Sequence, residues 1–215
     1  MENMNETKMP LIGDPLPKMK VVTTHGVKSL PDDYSGKWLV LFSHPADFTP
    51  VCTTEFIGFA QRHEKFKELN TQVIGLSIDS IYSHLAWVKN IKDNFDIEIP
   101  FPIIDDLDMK VAKAFGMIHP GASDTSAVRA VFVIDADGIL RAMVYYPLTN
   151  GRSIDEIVRL VESLQTSQNH GVATPENWHP GEKVIVPPPL TQEDQAKRKD
   201  EGYEYTDWYF SKKEL

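Results

Sequence analysis

A chain of 215 residues is long enough for one well-filled domain and an appendage. Hydrophobic residues at 41% and charged residues at 25% lie close to the averages of folded globular proteins, which excludes wholesale disorder and fibrous repeats. A formal net charge of −9 argues against a dedicated nucleic-acid surface, because phosphate backbones are bound by clustered Lys and Arg.

No apolar run reaches the roughly 18 residues that cross a bilayer. Residues 1–8 are polar, with no charged cap followed by an apolar stretch. Together these predict a cytoplasmic chain with no membrane partner. Its single cysteine, Cys52, cannot close an internal disulfide, which fits a reducing compartment. A lone cysteine is either an inert apolar filler or a nucleophile, and its surroundings have to decide.

In chain order, residues 37–42 form a short apolar run after a turn-like Asp-Asp-Tyr-Ser-Gly, the pattern of a strand buried on both faces. Over 53–69, Phe56, Phe59, Ala60, His63 and Phe66 recur every three or four residues, one face of a helix that places Cys52 in its first turn. A strand at 73–77 follows. The spacing then predicts a helix over 80–95 with Leu85, Val88 and Ile91 inward, and a strand at 101–104. Residues 108–115 read as a short helix, 130–134 and 139–146 as strands, and 153–164 as a last helix. The Asp-Ala-Asp-Gly at 135–138 marks a hairpin between the two strands.

Alternating strands and helices predict an α/β layer fold with a mixed central sheet and helices on both faces. Beyond residue 166 the chain turns Pro-rich and polar, a C-terminal extension with no core of its own. It ends in aromatics: Trp178, Tyr203, Tyr205, Trp208, Tyr209 and Phe210 are too many for a solvated linker. They pack on a neighbouring subunit or fold back as an arm. The expected organisation is a main domain over 8–166 and a dimerisation arm over 167–215.

Cys52 follows a buried strand and enters a helix, where free N–H groups and positive potential favour an anion. An ordinary thiol is only about 3% ionised at neutral pH, and burial disfavours the charge further. An arginine held nearby would offset that. Thr49 could turn its hydroxyl toward the sulfur or cap the helix; Pro45 could shield the sulfur or enforce the turn. No histidine among the seven sits in a metal-ligand spacing.

The string His44-Pro45-Ala46-Asp47-Phe48-Thr49-Pro50-Val51-Cys52-Thr53-Thr54-Glu55 contains Pro-x-x-x-Thr-x-x-Cys. It resembles the active-site motif of the peroxiredoxins, thiol-dependent peroxidases on a thioredoxin-like fold. The likeness extends through the Pro-rich tail and is closest to the single-cysteine (1-Cys) branch and archaeal thioredoxin peroxidases. The resemblance implies that Cys52 is the peroxidatic cysteine, with Pro45, Thr49 and Arg129 catalytic. It also implies that Thr49, Val51, Cys52 and Arg129 contact the peroxide, and that Arg152, Glu55 and His44 support them. Hydrogen peroxide or an organic hydroperoxide is the implied substrate, with no metal and no cofactor. Oligomers are also implied, dimers assembling into a ring such as a decamer.

A sulfenic acid formed on Cys52 needs a second thiol, which this chain lacks. An external reductant, a thioredoxin-like protein or a small thiol, has to supply it. Where the archaeal relatives carry flanking cysteines, this tail reads Tyr205 and Ser211, so the chain is either a natural single-cysteine enzyme or a variant in which Ser211 replaces a resolving cysteine. The lipase-like Gly-x-Ser-x-Gly of some 1-Cys relatives is absent; Gly75-Leu76-Ser77-Ile78-Asp79 reads as a core strand. Two rival classes remain: a cysteine hydrolase using His44 or His119 as base, and a holdase-like assembly in which Cys52 is incidental.

Overall fold

The computed structural model describes residues 9–215. The polar start at 1–8, including the first residue of the expected 8–166 domain, lies outside them. The described residues divide into two compact units, one ending at Ile154 and one spanning Asp155–Leu215.

The first unit is built on a seven-stranded mixed sheet. Its strands are β1 (Met19–Thr23), β2 (Gly26–Leu30), β3 (Trp38–Ser43), β4 (Thr71–Ser77), β5 (Ile103–Asp105), β6 (Arg129–Ile134) and β7 (Leu140–Tyr146), in the order β2-β1-β5-β4-β3-β6-β7. Helices α1 (Pro50–Gln61) and α2 (His63–Glu68) connect β3 to β4, and α3 (Ile81–Phe95) connects β4 to β5. Both pairs are therefore parallel, as helical crossovers require. Beyond β5, α4 (Lys110–Ala114) leads to β6, which pairs antiparallel with both β3 and β7. The β6–β7 turn is the one anticipated: Asp135 Oδ1 accepts the N–H groups of Asp137 and Ile139 at 3.0 and 2.9 Å, and Gly138 supplies φ +79°.

β3 is buried at all six positions, so its alternate residues serve two layers. Leu39 and Leu41 join Ile74, Leu76, Ala130 and Phe132 in one cluster. Phe42 faces the other way, stacked on Phe59 of α1 at 4.1 Å and edge-on to Phe56 and Phe101 at 5.2 and 5.7 Å. Each fully buried ring contributes about 1.5–3 kcal/mol of transfer free energy. Gly75 is what lets them close: a Cβ there would stand 3.2 Å from the Cζ atoms of both Phe42 and Phe56.

Four readings need correction. The expected helix over 53–69 is two helices, because the backbone tightens at Arg62 (φ −98°, ψ 4°). In α3 the buried residues are His84, Trp87 and Ile91, while Leu85 is half exposed. Leu85 lies six residues before Ile91, about 120° round the helix, whereas His84 and Trp87 share the stripe of Ile91. The hairpin β1–β2 went unseen because only Val21, Thr23 and Leu30 of its residues are buried, one of them polar, so its apolar signal is weak. The fourth concerns the extension, which does have a small core.

That second unit holds most of α5 (Ile154–His170), the strands β8 (Val184–Ile185), β9 (Glu204–Asp207) and β10 (Phe210–Lys213), and α6 (Gln192–Lys197). The strands form a sheet in the order β8-β10-β9. Val172, Trp178 and Val184 bury one another, and Trp178 Nε1 donates to Glu182 O at 3.0 Å. Ser211 and Tyr205 face each other across β10 and β9.

Filling the space at Gly75 should be costly. We expect Gly75→Ala to lose about 1–3 kcal/mol in urea unfolding, the usual range for overpacking; an unchanged midpoint would mean that the rings yield freely.

Candidate active site

Cys52 is the third residue of α1, fully buried. Pro50 opens the helix, where a missing N–H costs nothing and the fixed φ suits the turn. Thr49 sits at the N-cap in extended conformation, but its side chain does not cap; Oγ1 donates to Ala46 O at 2.9 Å. Phe48, the residue before it, takes φ +55°, a left-handed conformation that costs a residue with a Cβ. Pro45 and Val51 are partly buried in the same turn.

The Cys52 sulfur accepts a hydrogen bond from Arg129 Nη1 at 3.3 Å. The same Nη1 donates to Glu55 Oε2 at 2.6 Å, and Arg129 Nε and Nη2 donate to Leu148 O at 3.0 and 2.8 Å. Arg129 opens β6. With Phe42 opposite Val131, the antiparallel register carries Arg129 past the end of β3, toward the start of α1.

Glu55 lies one turn after Cys52, on the same helix face. Its Oε1 accepts from Arg152 N and Nε, both at 2.8 Å, and its Oε2 from Arg152 Nη2 at 2.8 Å. Arg152 Nη1 donates to Ala130 O at 2.8 Å, and its guanidinium rests over the Phe42 ring. All three charged side chains are buried. Burial alone would raise the Glu55 pKa, but the hydrogen bonds and charge of Arg152, with the charge of Arg129, outweigh it and hold the carboxyl below its ordinary range.

A second buried network holds the loop between β3 and α1. Asp47 Oδ1 meets His44 Nε2 at 2.9 Å, Asp47 Oδ2 meets His84 Nδ1 at 2.7 Å, and His84 Nε2 reaches Ile104 O at 3.0 Å. Asp47 N donates to Asp79 Oδ2 at 3.0 Å, which also accepts from Ser77 Oγ at 2.6 Å. Burial raises the Asp47 pKa, yet the bonds to the two imidazoles bring it down to about 2. Burial lowers the His44 pKa against the opposing pull of Asp47.

His44, Asp47 and Asp79 have ligand atoms within 4.8 Å of one another, close enough to suggest a cation. Their contacts are already those of a hydrogen-bonded loop anchor, which is how we read them.

Cys52, Arg129, Glu55 and Arg152 thus form one connected group, with Thr49, Pro45 and Val51 in the adjoining turn. His44 belongs to the second network. His119, the other candidate base, is exposed, its Nε2 on Gly116 O and its ring stacked on Tyr145. The hydrogen bond at Cys52 Sγ comes from a guanidinium and not an imidazole. Sequence reasoning missed the roles of Asp47 and His84. A histidine within the apolar stripe of α3 was the available signal, since a buried imidazole requires partners.

Residues 12–143 match the AhpC/TSA family, and residues 163–202 match the C-terminal domain of 1-Cys peroxiredoxin. A peroxiredoxin of Aquifex aeolicus is 58% identical, the alignment covering 99% of this chain and all of the relative. One from Thermotoga maritima is 52% identical, over 98% of this chain and all of its own. A yeast mitochondrial 1-Cys peroxiredoxin structure superposes with a TM-score of 0.87 at 36% identity, covering 96% of this chain and all of that one. The Peroxiredoxin 6 of Arenicola marina, as a cysteine-to-serine mutant, gives 0.79 at 35% identity, with 88% of each chain covered. With a full-length likeness, the 1-Cys C-terminal domain and one cysteine, the chain belongs to the peroxiredoxins, the AhpC/TSA family of thiol peroxidases.

Proposed function

We propose that Cys52 reduces hydrogen peroxide and organic hydroperoxides and is recycled by an external thiol. The observation that carries this reading is the hydrogen bond from Arg129 to the buried sulfur. Arg129 and Arg152 bring two positive charges and Glu55 one negative. The group is left with one unbalanced positive charge beside the Cys52 sulfur.

In the proposed step, a sulfur lone pair of the thiolate attacks the terminal oxygen of ROOH. An S–O bond forms as the O–O bond breaks, and the departing alkoxide or hydroxide takes a proton and leaves as ROH or water. The terminal oxygen stays on sulfur as the sulfenic acid. Arg129 and the free N–H groups of the first turn of α1, together with the Thr49 hydroxyl, stabilise the charge on the leaving oxygen. Val51 lines the approach and Pro45 screens the sulfur from water. Glu55 and Arg152 hold Arg129 in place, and His44 holds the loop through Asp47.

A thiol RSH then condenses with the sulfenic acid, releasing water and leaving a mixed disulfide that a second thiol reduces. Either a thioredoxin-like protein or a small thiol could serve; the yeast mitochondrial relative resolves its thiol via glutathione and thioredoxin systems. The same reading assigns 8–166 to the peroxidase domain and 167–215 to a dimerisation arm. It also takes the assembly as dimers joined in a ring, working in the cytoplasm without nucleic acid or membrane. Among the described residues no helix is long and apolar enough to cross a membrane.

Stopped-flow mixing of reduced protein with hydrogen peroxide, with a sulfenic-acid trap, tests the reading. We expect fast, stoichiometric labelling of Cys52 and none in Cys52→Ser; oxidation no faster than that of a free thiol would sink it. Arg129→Met should slow the oxidation by about 10²-fold or more, the usual loss when one charge-stabilising donor is removed.

Glu55→Gln should slow the same step and cost about 3 kcal/mol in urea unfolding, since two buried guanidiniums lose their shared carboxylate. The carboxyl titrates below its ordinary range, so its contribution holds above the unfolded value of about 4.3 and is lost as pH falls through the folded value. The stability gap between parent and variant should therefore begin to narrow below about pH 4 and close as the folded value is passed, which unfolding curves at stepped pH will show.

A further inference from the structure

Cys52 follows the C-terminal end of β3; at the opposite end, where β3 and β4 begin, a cleft of about 290 Å³ opens. The six residues of β3 set the two places about 20 Å apart. His25 from the β1–β2 turn, Lys28 of β2, Lys37 just before β3, His63 at the start of α2 and Gln72 of β4 line the cleft. Asp33 is its one carboxylate, and Asp33 Oδ2 already accepts the Ser29 N–H at 3.0 Å.

This concentration of positive charge occurs in a chain with net charge −9. Elsewhere Lys18, Lys67, Lys92 and Lys183 each rest on a carboxylate. Lys28 and Lys37 make no ion pair among the described residues. The ring of His63 has a shielded Nδ1 with no hydrogen-bond partner. Burial, and then the charge of Lys28, lower the pKa of His25; burial, and then Lys67, lower that of His63 against the pull of Glu64.

We propose that this cleft binds a phosphate group, as inorganic phosphate or a phosphomonoester. Two ammonium groups, two imidazoles and an amide supply donors from several sides, and a dianion with three or four acceptor oxygens answers them with charge-assisted hydrogen bonds. The cleft has room for an organic group beyond the phosphate. None of its residues takes part in the proposed peroxide chemistry, so the site stands or falls separately from it.

The full chain is titrated with inorganic phosphate and with glycerol 3-phosphate, against sodium chloride of equal ionic strength, following the imidazole C–H resonances of His25 and His63. Saturable shifts with phosphate and not with chloride are expected. Lys28→Gln/Lys37→Gln should weaken binding by about tenfold or more, the loss expected for removing charged donors. Lys37→Glu, a single exposed change, should abolish it, while Cys52 oxidation keeps its rate in every variant. Equal shifts with chloride, or unchanged affinity in both variants, would overturn the proposal. Co-sedimentation with phosphatidic acid vesicles distinguishes the sources: vesicle binding that Lys37→Glu removes, without saturation by glycerol 3-phosphate, assigns a lipid headgroup, and saturation by the soluble ester assigns a metabolite.

Discussion

The site depends on one buried carboxylate. Glu55 accepts four hydrogen bonds from two arginines brought from distant points in the chain, so it closes α1, the start of β6 and the segment before α5 onto one another. Two guanidiniums without it would repel each other in a medium that screens poorly. With it, one unit of positive charge is left over, and the nearest atom able to take up a negative charge is the Cys52 sulfur. The same carboxylate thus serves the stability of the buried arginines and the placement of Arg129 on the sulfur.

Topology makes that clamp possible. A parallel sheet throughout would leave every helix N-terminus at the same edge with only strand C-termini beside it. Inserting β6 antiparallel to β3 brings the beginning of a strand to that edge instead, and the residue beginning it is Arg129. The helix that presents Cys52 also presents Glu55 one turn later, so thiol and carboxylate approach the same guanidinium from one rigid element. On the other side of the loop, Asp47 is fixed between two imidazoles and by its own backbone N–H. The strained Phe48 backbone is held between this anchor and the helix.

Much of this was legible in the sequence because it rests on short-range pattern. The apolar run of β3 and the Asp-Ala-Asp-Gly turn each reflect a local rule, and the structure follows them within a residue or two; the helical spacing after Cys52 marks the right face but not the break at Arg62. Arg129 and Arg152 could be singled out only through resemblance, since periodicity says nothing about which arginine a fold buries. What escaped notice depends on contacts distant in sequence. His84 takes the inward position that Leu85 was expected to hold because Asp47, 37 residues earlier, and the Ile104 carbonyl satisfy its ring. The β1–β2 hairpin shows little apolar alternation because in β1 the apolar Val22 is exposed and the polar Thr23 beside it is buried, so polarity does not follow burial. The core of the extension is Trp178 with Val172 and Val184, too small to leave a periodic trace.

The extension also bears on how the enzyme is recycled. Tyr205 and Ser211 are partners across β9 and β10. Cysteines there would lie side by side, so in such a tail the two thiols would act as neighbours. Here one is a partly exposed phenol and the other a buried hydroxyl whose Oγ reaches Asp207 O at 3.3 Å, and neither can attack a sulfenic acid to form a disulfide. In the proposed cycle that step passes to an external thiol. Yet the Cys52 sulfur is fully buried, at a depth that a peroxide reaches more easily than a protein does. The Arg129 hydrogen bond is one of the contacts that hold the sulfur at that depth.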